Sequence, residues 1–219
     1  MQPSPSPAKK LQTIRSRFFI VLVLCLCAGE VFAGMPAGKD IIIPAPSRKL
    51  FEVDVESAQM FNIDNNPNRY YFSTQMISFA YEPFSALKIG PVRIRTQLLA
   101  TFYASAIIRG PENFYFGGGP QIRFILPFGD TPWSLFAGLG CGAGGANAHP
   151  SHRDDHGLGQ PFTFILLSNW GFRYQVNKEW SVWVGSMWHH LSNANMSTAH
   201  KRNTGPDEIG VLAGAGYAF

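Results

Sequence analysis

Three side chains near the C-terminus, His190, Ser192 and Asp207, are the types that a hydrolytic triad requires. In such a triad the imidazole takes the hydroxyl proton, while the carboxylate fixes the ring's tautomer and stabilises the imidazolium. One residue separates His190 from Ser192, so in a strand both project from the same face. Asp207 opens the next alternating run, which a loop can bring alongside. A lone H-x-S pair is more often ordinary polarity where a strand meets a loop, so the surrounding pattern has to carry the assignment.

Two alternating runs hold these residues. In the first, Trp180, Val182, Val184, Ser186, Trp188, His190 and Ser192 share a face. In the second, Asp207, Ile209, Val211, Ala213, Ala215, Tyr217 and Phe219 share a face, opposite Glu208, Leu212 and three glycines. An apolar, aromatic-capped face and an aromatic last residue fit a β-barrel whose outside meets lipid. His190, Ser192 and Asp207 then fall on the lipid side, beside an aromatic girdle. Glu208 and His189 have the opposite parity and point into the barrel or its rim.

Upstream, the same period recurs. Expected strands cover 50–60, 70–81, 92–103, 113–126, 133–141 and 162–174, with turns at 82–90, 128–132 and 176–179. In the third, Val92, Ile94, Thr96, Leu98, Ala100 and Phe102 oppose Arg93, Arg95, Gln97 and Thr101. With the two C-terminal runs the count is eight, an even number, and polar side chains and glycine are expected to fill the inner face. The predicted fold is all-β: an eight-stranded antiparallel transmembrane β-barrel over 50–219, packed inside, with no open pore. The longer loops, including Ser192–Pro206, belong on the extracellular side.

Lys9, Lys10, Arg15 and Arg17 precede a short apolar stretch, and Val31 and Ala33 occupy the positions before a cleavage site. Residues 1–33 are therefore expected to be a signal peptide, and 34–49 a periplasmic segment. A lipoprotein signal through Cys25 or Cys27 is disfavoured because Leu24 and Leu26 stand where a small residue is wanted. The leader carries most of the formal charge of +4, so nothing argues for a nucleic-acid partner. Cys141 alone remains after cleavage, which excludes an intrachain disulfide. Its parity makes it a small lipid-facing residue.

His190-Leu191-Ser192-Asn193-Ala194, followed by Asn203-Thr204-Gly205-Pro206-Asp207 and an aromatic-ended strand, resembles the PagL-type lipid A 3-O-deacylases. The resemblance is sharp over about the last thirty residues and architectural before them. It implies an outer-membrane esterase acting on lipid A of the surrounding lipopolysaccharide, with Ser192 as nucleophile, His190 as base and Asp207 as acid. It implies no cofactor. Backbone amides near Asn193 and Asn195 and the Asn203 side chain are candidate oxyanion donors. The family's best-known members carry glutamate at the Asp207 position, and the loop here is longer, with 198–202 as the extra material.

Other readings remain open at this level. His149, His152 and His156 have suggestive spacing, but Pro150 and the flanking glycines favour an irregular, solvated loop over a metal site. Arg153, His200, Lys201 and Arg202 are either contacts to lipid A phosphates or solvated charges. A non-enzymatic barrel, serving as anchor or adhesin, shares the same architecture. A palmitoyltransferase-type barrel is a third reading that the H-x-S-N run does not suggest. The sequence leaves open whether the chain is a monomer or a homodimer.

Overall fold

A computed structural model of the chain describes residues 50–64, 69–90, 92–148, 157–194 and 205–219. The expected leader and periplasmic segment lie outside the described residues. The elements are β1 (Phe51–Asn62), β2 (Tyr71–Tyr81), β3 (Leu87–Ile89), β4 (Val92–Arg109), β5 (Phe114–Pro127), β6 (Trp133–Ala146), β7 (Phe162–Gln175), β8 (Trp180–Ser192) and β9 (Asp207–Ala218). Every pairing is antiparallel, and β1 bonds to both β2 and β9, so eight strands close into a ring with β3 appended to β4. Closure satisfies the edge groups that lipid could not.

Alternation along each strand assigns the two sides of the wall. On β2, Phe72, Thr74, Met76, Ser78 and Ala80 are buried, while Gln75, Ile77, Phe79 and Tyr81 are exposed. Ile77, Phe79, Phe102, Phe116, Leu166, Phe172 and Val211 are among the large apolar side chains standing outward. Aromatic pairs band both rims. At the short-turn end Phe51 stacks on Tyr81 (5.0 Å) and Phe219 (6.2 Å), and Trp180 packs on Tyr217 (5.0 Å). At the long-loop end Phe61 stacks on Tyr71 (4.8 Å) and Phe162 meets Phe164 edge-on (5.2 Å). An apolar belt between two aromatic girdles is the surface of a lipid-embedded barrel.

The lumen divides into two zones. Near the short turns, Glu52, Asp54 and Glu56 of β1 meet Arg123 of β5 and Arg173 of β7. Arg123 donates to Asp54 (2.5 Å) and Glu56 (3.1 Å), and Arg173 donates to Glu52. Gln97, Ser181 and Trp183 donate to the same carboxylates at 2.9, 3.1 and 2.8 Å. Arg123 also lies 5.3 Å over the Trp183 ring. Charges removed from water persist only when paired and hydrogen-bonded in this way.

Toward the long loops apolar side chains join the polar ones inside the barrel: Met60, Phe72, Ile165, Leu167, Met187 and Leu191 are all buried, alongside Thr163, His189 and Glu208. Tyr103 and Tyr115 stack there at 5.7 Å. Leu158 is fully buried, and its amide donates to Glu112 (2.7 Å), which also accepts from Tyr70 (2.6 Å).

Three expectations from sequence are corrected. The lumen is only half polar, because Met, Leu and Ile at inward parity pack against one another. The turn at 82–90 contains a three-residue strand, which pairs Leu87 with Ile94 and Ile89 with Val92. The strand expected over 92–103 continues to Arg109, since β2 offers partners as far as Tyr71.

Candidate active site at the outer wall

β8 and β9 pair so that His190 faces Asp207 and His189 faces Glu208. Outside the wall, His190 Nδ1 lies 3.0 Å from Asp207 Oδ1, with 30% and 25% of the two side chains exposed. Inside, His189 Nε2 lies 2.5 Å from Glu208 Oε2, with 1% and 0% exposed. The His189 ring stands edge-on to Phe72 at 5.2 Å. The parity read from sequence therefore holds: Asp207 shares the face of His190, and Glu208 is lumenal.

Ser192 ends β8 on the same outward face as His190, with Phe164 as its neighbour on β7. The chain then turns sharply, because Ala194 adopts φ of 51° and its amide donates to Ser192 Oγ at 3.1 Å. Gly205 passes close to the site, where a Cβ would meet the Leu191 carbonyl and sit 3.2 Å from His190 Cε1. Glycine at this position lets the returning loop approach the imidazole. With Nδ1 on a carboxylate, the proton-accepting position of the ring is Nε2.

Beside His190 and Ser192 a groove of about 660 Å³ opens sideways on the outer wall. Its floor is Gly118, Pro120, Cys141 and Ala143, and Phe164 and Leu166 separate that floor from the histidine strand. Small side chains at outward positions of β5 and β6 leave this depression in a wall otherwise studded with aromatic rings.

The backbone of Asp207 is held on its far side. Its amide donates to Asp64 Oδ2 (3.2 Å), and its carbonyl accepts from Ile63 N (2.9 Å) and Asn62 Nδ2 (3.3 Å). Neither Asn62 nor Asp64 stands out in the sequence as a site residue, and nothing local could have flagged contacts to a residue so distant along the chain. The groove had a weak signal in the facing glycine runs at 117–119 and 140–145.

Of the candidate oxyanion donors, Asn193 follows Ser192 with lumenal parity and is fully buried. Asn195 and Asn203 lie outside the described residues, as do His149, His152 and His156 and the basic residues Arg153, Lys201 and Arg202.

No curated protein sequence matches. The crystal structure of the outer membrane enzyme PagL superimposes with a TM-score of 0.52 at 14% identity, covering 74% of this chain and 97% of that one. The Neisserial surface protein A (NspA) gives a TM-score of 0.53 at 13% identity, covering 77% and 97%. Both likenesses speak to the barrel fold. The family model for lipid A 3-O-deacylase (PagL) matches residues 77–215, a span that takes in β8, most of β9 and the paired His190 and Asp207, and on that match the chain belongs to the PagL family of outer-membrane β-barrels.

Proposed function

We propose that the protein is an esterase that removes the ester-linked 3-O-acyl chain of lipid A, using Ser192, His190 and Asp207. The observation that carries the reading is the His190–Asp207 pair, set on the lipid-facing side of the wall with Ser192 beside it at the mouth of an apolar groove. A hydrolytic site opening onto lipid needs no soluble substrate pocket, because its substrate is the surrounding leaflet. By the usual placing of longer loops outside, that leaflet is the outer one.

Ser192 Oγ attacks the ester carbonyl while His190 Nε2 takes its proton. Asp207 keeps Nδ1–H in place and stabilises the imidazolium. Collapse of the tetrahedral intermediate breaks the bond to the sugar oxygen, which receives the proton from His190. Water then attacks the acyl-serine and gives its proton to His190. The fatty acid leaves and the proton returns to Ser192. The departing chain lies along the groove, where Phe164 and Leu166 contact methylenes and the small floor residues leave room for them. The backbone amide of Asn193, next in the chain to Ser192, is the candidate donor to the developing oxyanion.

Neisserial surface protein A shares the barrel fold, so architecture alone also accommodates a surface-protein role. Mass spectrometry of lipid A from cells with and without the protein separates the two readings. The expected result is loss of one 3-hydroxyacyl chain only in cells carrying the wild type, and not in cells carrying Ser192→Ala. Unchanged lipid A in both would favour the surface-protein reading.

A further inference from the structure

An aspartate side chain has two torsions, so its carboxylate goes largely where its backbone goes. Asp207 is the first residue of β9 and emerges from a long loop, a place where strands ordinarily fray. Its backbone N–H and C=O both point toward β1, away from His190. The β1–β9 ladder has its last rung at Asn62 and Glu208. Beyond that rung the Ile63 amide still reaches the Asp207 carbonyl, at 2.9 Å. The Asp207 amide would next need a carbonyl from β1, but it finds Asp64 Oδ2 at 3.2 Å. The other oxygen of that carboxylate accepts from Asn62 Nδ2 at 2.6 Å, and the same nitrogen approaches the Asp207 carbonyl at 3.3 Å.

We propose that Asp64, braced by Asn62, is a positioning residue for the catalytic acid. Its carboxylate replaces the missing ladder carbonyl and fixes the Asp207 backbone so that Oδ1 meets His190 Nδ1. The inference rests on the reading of Asp207 as the acid of the esterase. It adds that Asn62 and Asp64, at and just beyond the end of β1, belong to the catalytic apparatus through the Asp207 backbone that they hold. A misplacement of the acid by even 1 Å would loosen the imidazole that must receive the serine proton.

The test uses the mature protein in vesicles containing lipopolysaccharide, with acyl release as the readout and heat-modifiable migration as the check on folding. Asp64→Ala is expected to lower kcat by about 10–100-fold with KM within about two-fold, as for a geometric fault. Asp64→Asn keeps an oxygen acceptor for the Asp207 amide and should recover kcat to within about three-fold of wild type. In an Asp207→Ala background, Asp64→Ala should cost nothing more, because the group it positions is gone. If Asp64→Ala does not fold, Asn62→Ala serves in its place, with about a five-fold loss of kcat expected. Unchanged kcat in the folded variant, or an equal loss with and without Asp207, overturns the proposal while leaving the esterase intact. A wild type that releases no acyl chain removes the reading beneath it, and the proposal falls with it.

Discussion

Two histidine–carboxylate pairs sit on adjacent rungs of the same two strands, and they have opposite fates. His190–Asp207 stands on the outer wall, part-exposed, beside a hydroxyl and a groove. His189–Glu208 stands on the inner wall, closed off by Phe72 and its neighbours. The chemical groups are nearly the same. What differs is access: one ring edge is free to meet a substrate, and the other is sealed in packed side chains. A one-residue change of parity moves the same pair of groups from an accessible outer face to a sealed interior, because strand neighbours point to opposite sides of the sheet.

The contrast can be broken most severely at the outer pair. Ser192→Ala and His190→Ala should each lower acyl release by about 10³-fold or more while the barrel stays folded, and the double variant should be little worse. Near-wild-type release by Ser192→Ala would assign the nucleophile elsewhere. Asp207→Asn comes next. It leaves the shape but lets the imidazole take the wrong tautomer, so a loss of about 10²–10⁴-fold in kcat is expected. Asp207→Glu sharpens the comparison, since it tests how much the site relies on the shorter side chain. A loss of about 10-fold is expected as the longer acid is forced to fold back on a fixed backbone. The smallest effect on activity belongs to the inner pair. Glu208→Gln should change acyl release by less than about three-fold while lowering resistance to urea unfolding by about 1–3 kcal/mol. If Glu208→Gln were inactive and Asp207→Asn normal, the two sides of the wall would have exchanged roles.

The sequence made the outer wall legible because its alternation is strong, with period two and few exceptions. Parity alone put Asp207 on the face of His190 and Glu208 inside, and the strand register has the same arrangement. Other features were hidden for physical reasons. The strand at Leu87–Ile89 is too short to show a period. Inward methionines and leucines look the same whether they face a polar lumen or one another, so the apolar half of the interior could not be read. Arg123 and its acids on β1 are separated by 69 and 67 residues, and Asp64 lies 143 residues from the amide it holds. Such pairings follow from ring closure, which joins the first strand to the last, and no local pattern encodes them.

For the proposed esterase, the groove's sideways opening has a kinetic consequence. An enzyme of this geometry meets its substrate by diffusion in a plane, so the relevant concentration is the number of lipid A molecules per unit of membrane area. Diluting the vesicles in buffer would leave its turnover unchanged. Diluting lipid A within the membrane, by adding inert phospholipid at constant vesicle number, would slow it. Crowding of the leaflet, its fluidity and its lateral sorting would then regulate this protein in the way that bulk substrate level regulates a soluble enzyme.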